Sequence, residues 1–162
     1  MINIKFPHLT NKKGFTLIEL VVAFSIMAAL STIGIVAFGD YSRAQTLQQA
    51  TNNLITTLNT AKAKAAAQVK PDDCINPIKT LNGYTVALTA NSYQLQAICN
   101  GLAETVSTTP LPHVVSIDSA STMTVTFSVL TGFVTGSGNI IIDGETGTTP
   151  KTIMVTAGGL IE

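Results

Sequence analysis

Apolar and polar residues follow three different patterns along this chain, and each pattern predicts a different kind of element. Residues 15–38 are almost all apolar, and Glu19 is the single ionisable side chain among these 24 residues. A helix of that length is about 36 Å long, enough to cross a hydrocarbon core of about 30 Å. The first pattern therefore predicts a membrane-spanning helix.

Beyond Asp40 the helical pattern continues, but with apolar residues on one face only. The members of this stripe recur four and three residues apart: Leu47, Thr51, Leu54, Leu58, Ala61 and Ala65. Pro71 lacks an amide donor and disfavours helical geometry in the residue before it, so we expect the helix to end at about Val69. The second pattern therefore predicts an amphipathic helix.

After Pro71 the pattern changes to short alternating segments separated by turn residues, which predict six or seven β-strands. The predicted strands that can be bounded are residues 84–89, 93–98, 114–117, 123–127, 140–142 and 152–156. Residues 108–112, with prolines at two positions, are predicted to form a loop. A helix followed by a run of strands indicates an α+β fold, in which a C-terminal antiparallel sheet packs on the helical stripe to give a lollipop shape.

Three of the nine basic residues lie before the apolar run. Lys5, Lys12 and Lys13 precede it, and no basic residue follows until Arg43. The positive-inside rule then predicts a cytoplasmic N-terminus and an exported remainder. The nine basic and nine acidic residues of the whole chain balance, so the part beyond these lysines has an acidic excess. Such a balance does not favour a nucleic-acid surface.

Glu19 is unusual because a carboxylate inside a membrane span costs roughly 2.5 to 3.5 kcal/mol and is retained mainly where a partner neutralises it. Cleavage after Gly14 would create an α-amino group on Phe15, four residues away. That cation can pair with the Glu19 carboxylate of the same helix or of a neighbouring copy, so assembly would supply the partner.

Residues 12–20, KKGFTLIEL, resemble the class III signal of type IV pilins and the related pseudopilins. The resemblance implies that a prepilin peptidase cuts after Gly14, that Phe15 is N-methylated, and that Glu19 docks the subunit into a filament. Two other interpretations are a simple membrane anchor and a secretory signal cut after residues 37–39. The apolar run is too long for such a signal and carries a charge.

This resemblance implies four regions: a prepilin leader at 1–14, a transmembrane and filament-core helix at 15–38, an amphipathic spine helix at 39–70, and a β-rich globular head at 71–162. Many relatives have a proline near the middle of the span, where this chain has Val36. Gly34 and Gly39 flank that position and can loosen a helix locally, each at about 1 kcal/mol against alanine.

The order of elements after the span is loosely similar to the GspH/FimT minor pseudopilin branch. The similarity includes the absent central proline, the downstream hairpin and the apolar pattern of residues 125–161. Members of that branch are sparse subunits near a filament tip, and some bind DNA through basic C-terminal residues. Here residues 128–162 contain Lys151 against Asp143, Glu145 and Glu162, which disfavours DNA binding by this subunit.

Cys74 and Cys99 are the only cysteines, and both fall in the predicted exported part. In an oxidising compartment two cysteines usually form a disulfide, which here would join the end of the spine helix to the sheet. Closing a loop of about 25 residues is worth roughly 3 kcal/mol in the chain-entropy model. The alternative is a pair of reduced, buried cysteines; metal binding by two sulfurs without nearby histidine is disfavoured.

Other candidate chemistry is sparse. His8 lies in the predicted leader, His113 has no recognisable nucleophile near it, and Asp72 and Asp73 are expected to be solvated turn residues. Residues 143–147 are similar to oxygen-rich calcium loops, and some major pseudopilins hold calcium near the C-terminus, but the spacing is not that of an EF-hand. We therefore expect no enzyme activity, cofactor or metal.

The expected function is that of a structural subunit of a type IV pilus or type II secretion pseudopilus, with a minor position, priming or tip, as the favoured assignment. The alternatives are a major pilin of an adhesion or motility filament and a minor pilin of a DNA-uptake pilus. The implied partners are other pilin or pseudopilin subunits, prepilin peptidase and an inner-membrane assembly platform. We expect a single-pass inner-membrane protein with its head outside, which then enters a cell-surface or periplasmic filament.

Overall fold

The computed structural model describes residues 14–75, 79–121, 124–131, 133–145 and 147–162, without the side chains of residues 32–37 and 73. The chain forms two compact units, one ending at Phe38 and one comprising Gly39–Glu162. Of the predicted leader, only Gly14 lies within the described residues. The lollipop arrangement concerns how the units sit relative to each other and stays a prediction.

The helix α1 comprises Leu17–Ala66 and is continuous through position 36. It ends before the predicted Val69 because the chain caps the helix locally. Gln68 adopts a left-handed conformation (φ 53°), its amide donates to the Ala65 carbonyl, and the Val69 amide donates to the Lys64 carbonyl. This pair of bonds is a Schellman motif. The helix thus stops upstream of Pro71 rather than because of it.

The apolar stripe predicted for α1 is confirmed. Each of its six members is at most 5 % exposed, while Gln48, Asn52 and Asn59 on other faces are exposed. Ala50 joins the buried set, and Ile55 packs against it. The helical periodicity therefore marks the surface that the head covers.

Within the described residues of the first unit, the large apolar side chains have no comparable cover. Phe15, Leu17 and Ile18 are 84 %, 83 % and 68 % exposed. Among the described residues, which omit the side chains of residues 32–37, no helix is long and apolar enough to cross a membrane. The membrane span predicted at 15–38 stays a prediction.

The second unit contains two antiparallel sheets, where the sequence predicted one. Within the described residues the strands are β1 (Leu81–Thr89), β2 (Ser92–Cys99), β3 (Leu102–Pro110), β4 (Val115–Ile117), β5 (Thr124–Ser128), β6 (Val134–Thr135), β7 (Gly138–Gly144) and β8 (Lys151–Val155). Five form a sheet in the order β3-β2-β1-β5-β6, and three form a sheet in the order β4-β7-β8. The α+β class is confirmed, with more strands than predicted.

The loop predicted at residues 108–112 is wrong, because β3 extends to Pro110. This strand is at the edge of its sheet and pairs with β2 alone. Its residues are exposed or half-buried on both faces, so it has no apolar alternation for a pattern search to find. Proline is tolerated at such an edge, where a missing amide donor leaves no partner unsatisfied.

The sheets and α1 share one core. Tyr84 of β1 and Phe127 of β5 are paired neighbours, and they join Leu54 and Leu58 in the same buried cluster. Ile140 of β7 and Ile153 of β8 bring the second sheet into that cluster. The helical stripe is therefore part of a single hydrophobic core that extends through the second unit.

Truncating this core from the helix side should destabilise the head. Leu58 is fully buried, so Leu58→Ala should lower the free energy of unfolding by about 2–5 kcal/mol through lost burial and a cavity. The adjacent and exposed Asn59→Ala should change it by no more than about 0.5 kcal/mol. Urea denaturation of the full chain in detergent measures both, and equal effects would show that the stripe is not the core.

Tyr84 ties β1 to the segment after α1. Its ring is 1 % exposed, its hydroxyl donates to the Val69 carbonyl at 2.6 Å, and the Lys64 ammonium lies 5.9 Å from the ring centroid. Burial raises the pKa of the Tyr84 hydroxyl above its usual value of 10.0, because the phenolate would be desolvated. The folded state thus holds this proton more tightly than the unfolded state does.

This shift predicts a specific loss of stability in alkali. The contribution of Tyr84 is fully present below about pH 10, the unfolded pKa, and is lost as pH rises through the folded pKa. Tyr84→Phe should lower stability at neutral pH by about 0.5–1.5 kcal/mol, through the missing hydrogen bond, and flatten the decline above pH 10. Denaturation curves at pH 8–11 measure this, with the exposed Tyr41→Phe as control; an unchanged alkaline slope in Tyr84→Phe would contradict it.

Candidate functional site

The predicted cleavage position lies outside α1. Gly14, Phe15 and Thr16 precede the helix and are exposed. A Cβ placed on Gly14 would meet no heavy atom of the described residues within 4 Å, so the described part of the chain leaves the Gly14–Phe15 bond open. Exposed, non-helical backbone of this kind is where proteases cut most readily.

Thr16 is the N-cap of α1. Its carbonyl accepts the first helical hydrogen bond, from the Leu20 amide at 3.2 Å, and its Oγ1 accepts the Glu19 amide at 3.3 Å. Threonine followed three residues later by glutamate is the capping-box pattern. The sequence analysis missed this role, although the spacing of Thr16 and Glu19 would have revealed it.

The beginning of α1 exposes apolar side chains on every face. The large ones that are about half exposed or more are Phe15, Leu17, Ile18, Leu20, Val21, Val22, Phe24, Ile26, Met27 and Leu30, which we call the apolar helix surface. A helix that is apolar all round is normally covered by a membrane or by other protein. The surface therefore indicates a site of insertion or association.

Glu19 is the one carboxylate in this surface. It is exposed, and together with Phe15, Leu20 and Ala23 it lines a shallow depression at the start of the helix. None of the ion pairs among the described residues includes its carboxylate. Because Phe15 and Glu19 line the same depression, an α-amino group on Phe15 would form close to the carboxylate.

Cys74 and Cys99 form a disulfide, as the sequence predicted. Cys74 ends the short 3-10 helix Asp72–Cys74, Cys99 ends β2, and their Cα atoms are 6.0 Å apart. Both residues are fully buried. The bond fastens the segment after α1 to β2 of the five-stranded sheet.

The remaining candidates show no catalytic or metal-binding arrangement. His113 is exposed in the turn after β3, beside a groove lined by prolines 110 and 112, and Asp72 is exposed. The side chain of Asp73 lies outside the described residues. Across the described part of the chain, no group of three or more His, Cys, Asp or Glu residues is placed to hold a metal ion.

The suspected calcium loop at residues 143–147 contains Glu145, which forms a contact between the head and α1. Glu145 pairs with Arg43 of α1 at 3.1 Å, and the Thr148 amide and hydroxyl both donate to the Glu145 carbonyl at 3.1 and 2.7 Å. Thr146 is outside the described residues. The sequence contains no signal for the Arg43–Glu145 pair, because the partners are about a hundred positions apart.

Comparison with known proteins identifies a family motif in the N-terminal segment. Residues 9–35 match the family model of the prokaryotic N-terminal methylation motif, and this range includes Gly14, Phe15 and Glu19. No curated protein and no solved structure matches the chain. The match supports a type IV pilin-like subunit and does not extend to the head.

Removing the disulfide should destabilise the head strongly. Cys74→Ala together with Cys99→Ala should lower the free energy of unfolding by about 3 kcal/mol, because the unfolded chain regains the entropy of the open loop. Urea denaturation of the full chain measures this, and a reductant should then leave the double variant unchanged. Labelling of both thiols in the denatured but unreduced wild type would show that the bond is absent.

Proposed function

We propose that this chain is a structural subunit of a type IV pilus or a type II secretion pseudopilus. The observation that carries the proposal is the arrangement at the start of α1. An exposed Gly14–Phe15 bond, a Glu19 carboxylate that takes part in no ion pair among the described residues, and the apolar helix surface lie within one segment that matches the N-terminal methylation motif.

In this proposal each part of the segment has one task. The apolar helix surface holds the precursor in the inner membrane, with its N-terminus inside and its head outside. Prepilin peptidase hydrolyses the Gly14–Phe15 bond, and the released α-amino group of Phe15 is methylated. The chain then leaves the membrane by packing its helix against other subunits at an assembly platform, where protein replaces lipid as the cover of the apolar residues.

Glu19 selects the correct partner during this step. Its carboxylate is costly in an apolar environment by roughly 2.5–3.5 kcal/mol, and the cationic α-amino group of a neighbouring Phe15 offsets that cost. A subunit that retained its leader would lack this cation and would leave Glu19 unpaired. Processing and assembly are therefore coupled through one ion pair.

We propose further that the subunit is a minor one, which primes or caps the filament. The loose similarity of the C-terminal pattern to the GspH/FimT branch supports this assignment. The head, stabilised by one disulfide and one continuous core, would then be the part presented to neighbouring subunits or to a cargo protein. Residues 128–162 hold one basic residue, so the head does not favour a DNA-uptake role.

Neutralising Glu19 tests the docking role. Glu19→Gln preserves the size of the side chain and removes its charge, so we expect at least a tenfold loss of the subunit from filaments at unchanged membrane abundance, which corresponds to about 1.4 kcal/mol or more. Asp40→Asn, at an exposed acid of the same helix, is the matched control. Immunoblots of sheared filaments and membranes measure both, and wild-type incorporation of Glu19→Gln would refute docking by charge.

Abundance tests the assignment as a minor subunit. Quantitative mass spectrometry of sheared filaments should find this chain at a small percentage of the most abundant subunit. If the chain instead makes up the bulk of the filament, it is a major pilin, and the minor role is wrong.

A further inference from the structure

The two hydrogen bonds at Thr16 define where α1 begins. Its carbonyl is the first acceptor of the helical ladder, and its Oγ1 takes the Glu19 amide, one of the amides that have no partner within the helix. An N-cap residue itself has non-helical backbone. The residues on its N-terminal side, Gly14 and Phe15, are therefore excluded from the helix as long as Thr16 caps it.

The neighbouring apolar residues reinforce this boundary. Phe15 precedes the cap, Leu20 is the fourth helical residue, and both line the same depression. An apolar pair at these two positions is a hydrophobic staple, which fixes the angle at which the chain enters the helix. The Thr16 cap and the sequence patterns of a capping box and a hydrophobic staple thus occur together in residues 15–20, directly after the proposed cleavage position.

No steric feature of the described residues stops the helix from starting earlier. Among the described residues nothing lies within 4 Å of a Cβ placed on Gly14, and Phe15 has neither a positive φ nor a cis peptide bond. No proline occurs between residues 14 and 70. The cap and staple are thus the local signals that separate the Gly14–Phe15 bond from the helix that begins two residues later.

We infer that Thr16 is a positioning residue, which holds the Gly14–Phe15 bond in an extended, accessible form for the peptidase by capping α1 immediately after it. The inference rests on the proposed function, because it requires cleavage at this bond. It adds a residue that acts through backbone geometry, without touching the scissile bond or forming the ion pair of Glu19.

Four substitutions of Thr16 separate capping from side-chain shape. Thr16→Val keeps the shape of the side chain and removes the hydroxyl that caps the helix. Thr16→Ala removes the same hydroxyl and also has a higher helix propensity. Thr16→Ser and Thr16→Asn change the shape and keep the cap. Purified full-length chain in detergent is cut with prepilin peptidase, and the initial rate is measured for each variant.

We expect Thr16→Val and Thr16→Ala to be cut about fivefold more slowly, the equivalent of the roughly 1 kcal/mol that an N-cap contributes. Thr16→Ser and Thr16→Asn should be cut at rates close to wild type. In the uncut chain, the ¹³Cα shift of Phe15 should become helical in the Val and Ala variants and stay non-helical in the others.

The possible outcomes distinguish the positioning role of Thr16 from the proposed function of the chain. If wild type is cut and all four variants are cut equally fast, the positioning role is overturned while the proposed function stands. If Thr16→Ser and Thr16→Asn are cut as slowly as Thr16→Val, the peptidase recognises threonine itself, and the inference is overturned. The inference is also overturned if Phe15 stays non-helical in Thr16→Val. If wild type is not cut at all, the proposed function fails, and the inference fails with it.

Discussion

Burial of apolar side chains along α1 is the constraint on which the rest of this molecule depends. From Leu47 to Ala65 the helix supplies a stripe that the two sheets cover. From Phe15 to Leu30 it exposes apolar side chains on all faces. At about 25 cal/mol per Å² of apolar area, an uncovered surface of that extent is strongly unfavourable in water. The same helix thus stabilises the head through its stripe, while among the described residues nothing comparable covers its first part.

The head is fastened to α1 mainly near the C-terminal end of the helix. There the Schellman motif turns the chain, the Tyr84 hydroxyl bonds the Val69 carbonyl, and the Cys74–Cys99 disulfide reaches the sheet. Near the beginning of the unit the Arg43–Glu145 pair links helix and sheet through exposed groups, which contributes at most about 1 kcal/mol. The head is therefore most rigidly attached where the disulfide closes it.

Structural features set by neighbouring residues were predictable from the sequence, and features set by residues far apart in the chain were not. The stripe of α1 follows from a period of 3.6 residues. The hairpin of β1 and β2 follows from alternation on either side of residues 90–92, although the structure pairs Thr89 with Ser92 and so leaves a two-residue turn. The edge strand β3 was missed because neither of its faces is buried, and the division into two sheets because strand order is not encoded locally.

The candidate site shows the same division. Gly14, Phe15 and Glu19 could be chosen as candidates because the motif is contiguous, and their individual roles stay predictions. Thr16 could have been found by its spacing from Glu19, whereas the pairing of Arg43 with Glu145 depends on tertiary structure. The early end of α1 at Ala66 depends on the left-handed conformation of Gln68. Glutamine adopts this conformation rarely, so the sequence did not predict the helix end.

The most direct test of this account is the identity of the N-terminal residue of the chain in the cell. Mass spectrometry of N-terminal peptides, from protein isolated from native membranes and filaments, distinguishes every interpretation of the apolar run. The account predicts a chain that begins with N-methylated Phe15. A chain that keeps residues 1–14, or one that begins after residues 37–39, would contradict it, because neither would present the α-amino group that Glu19 requires.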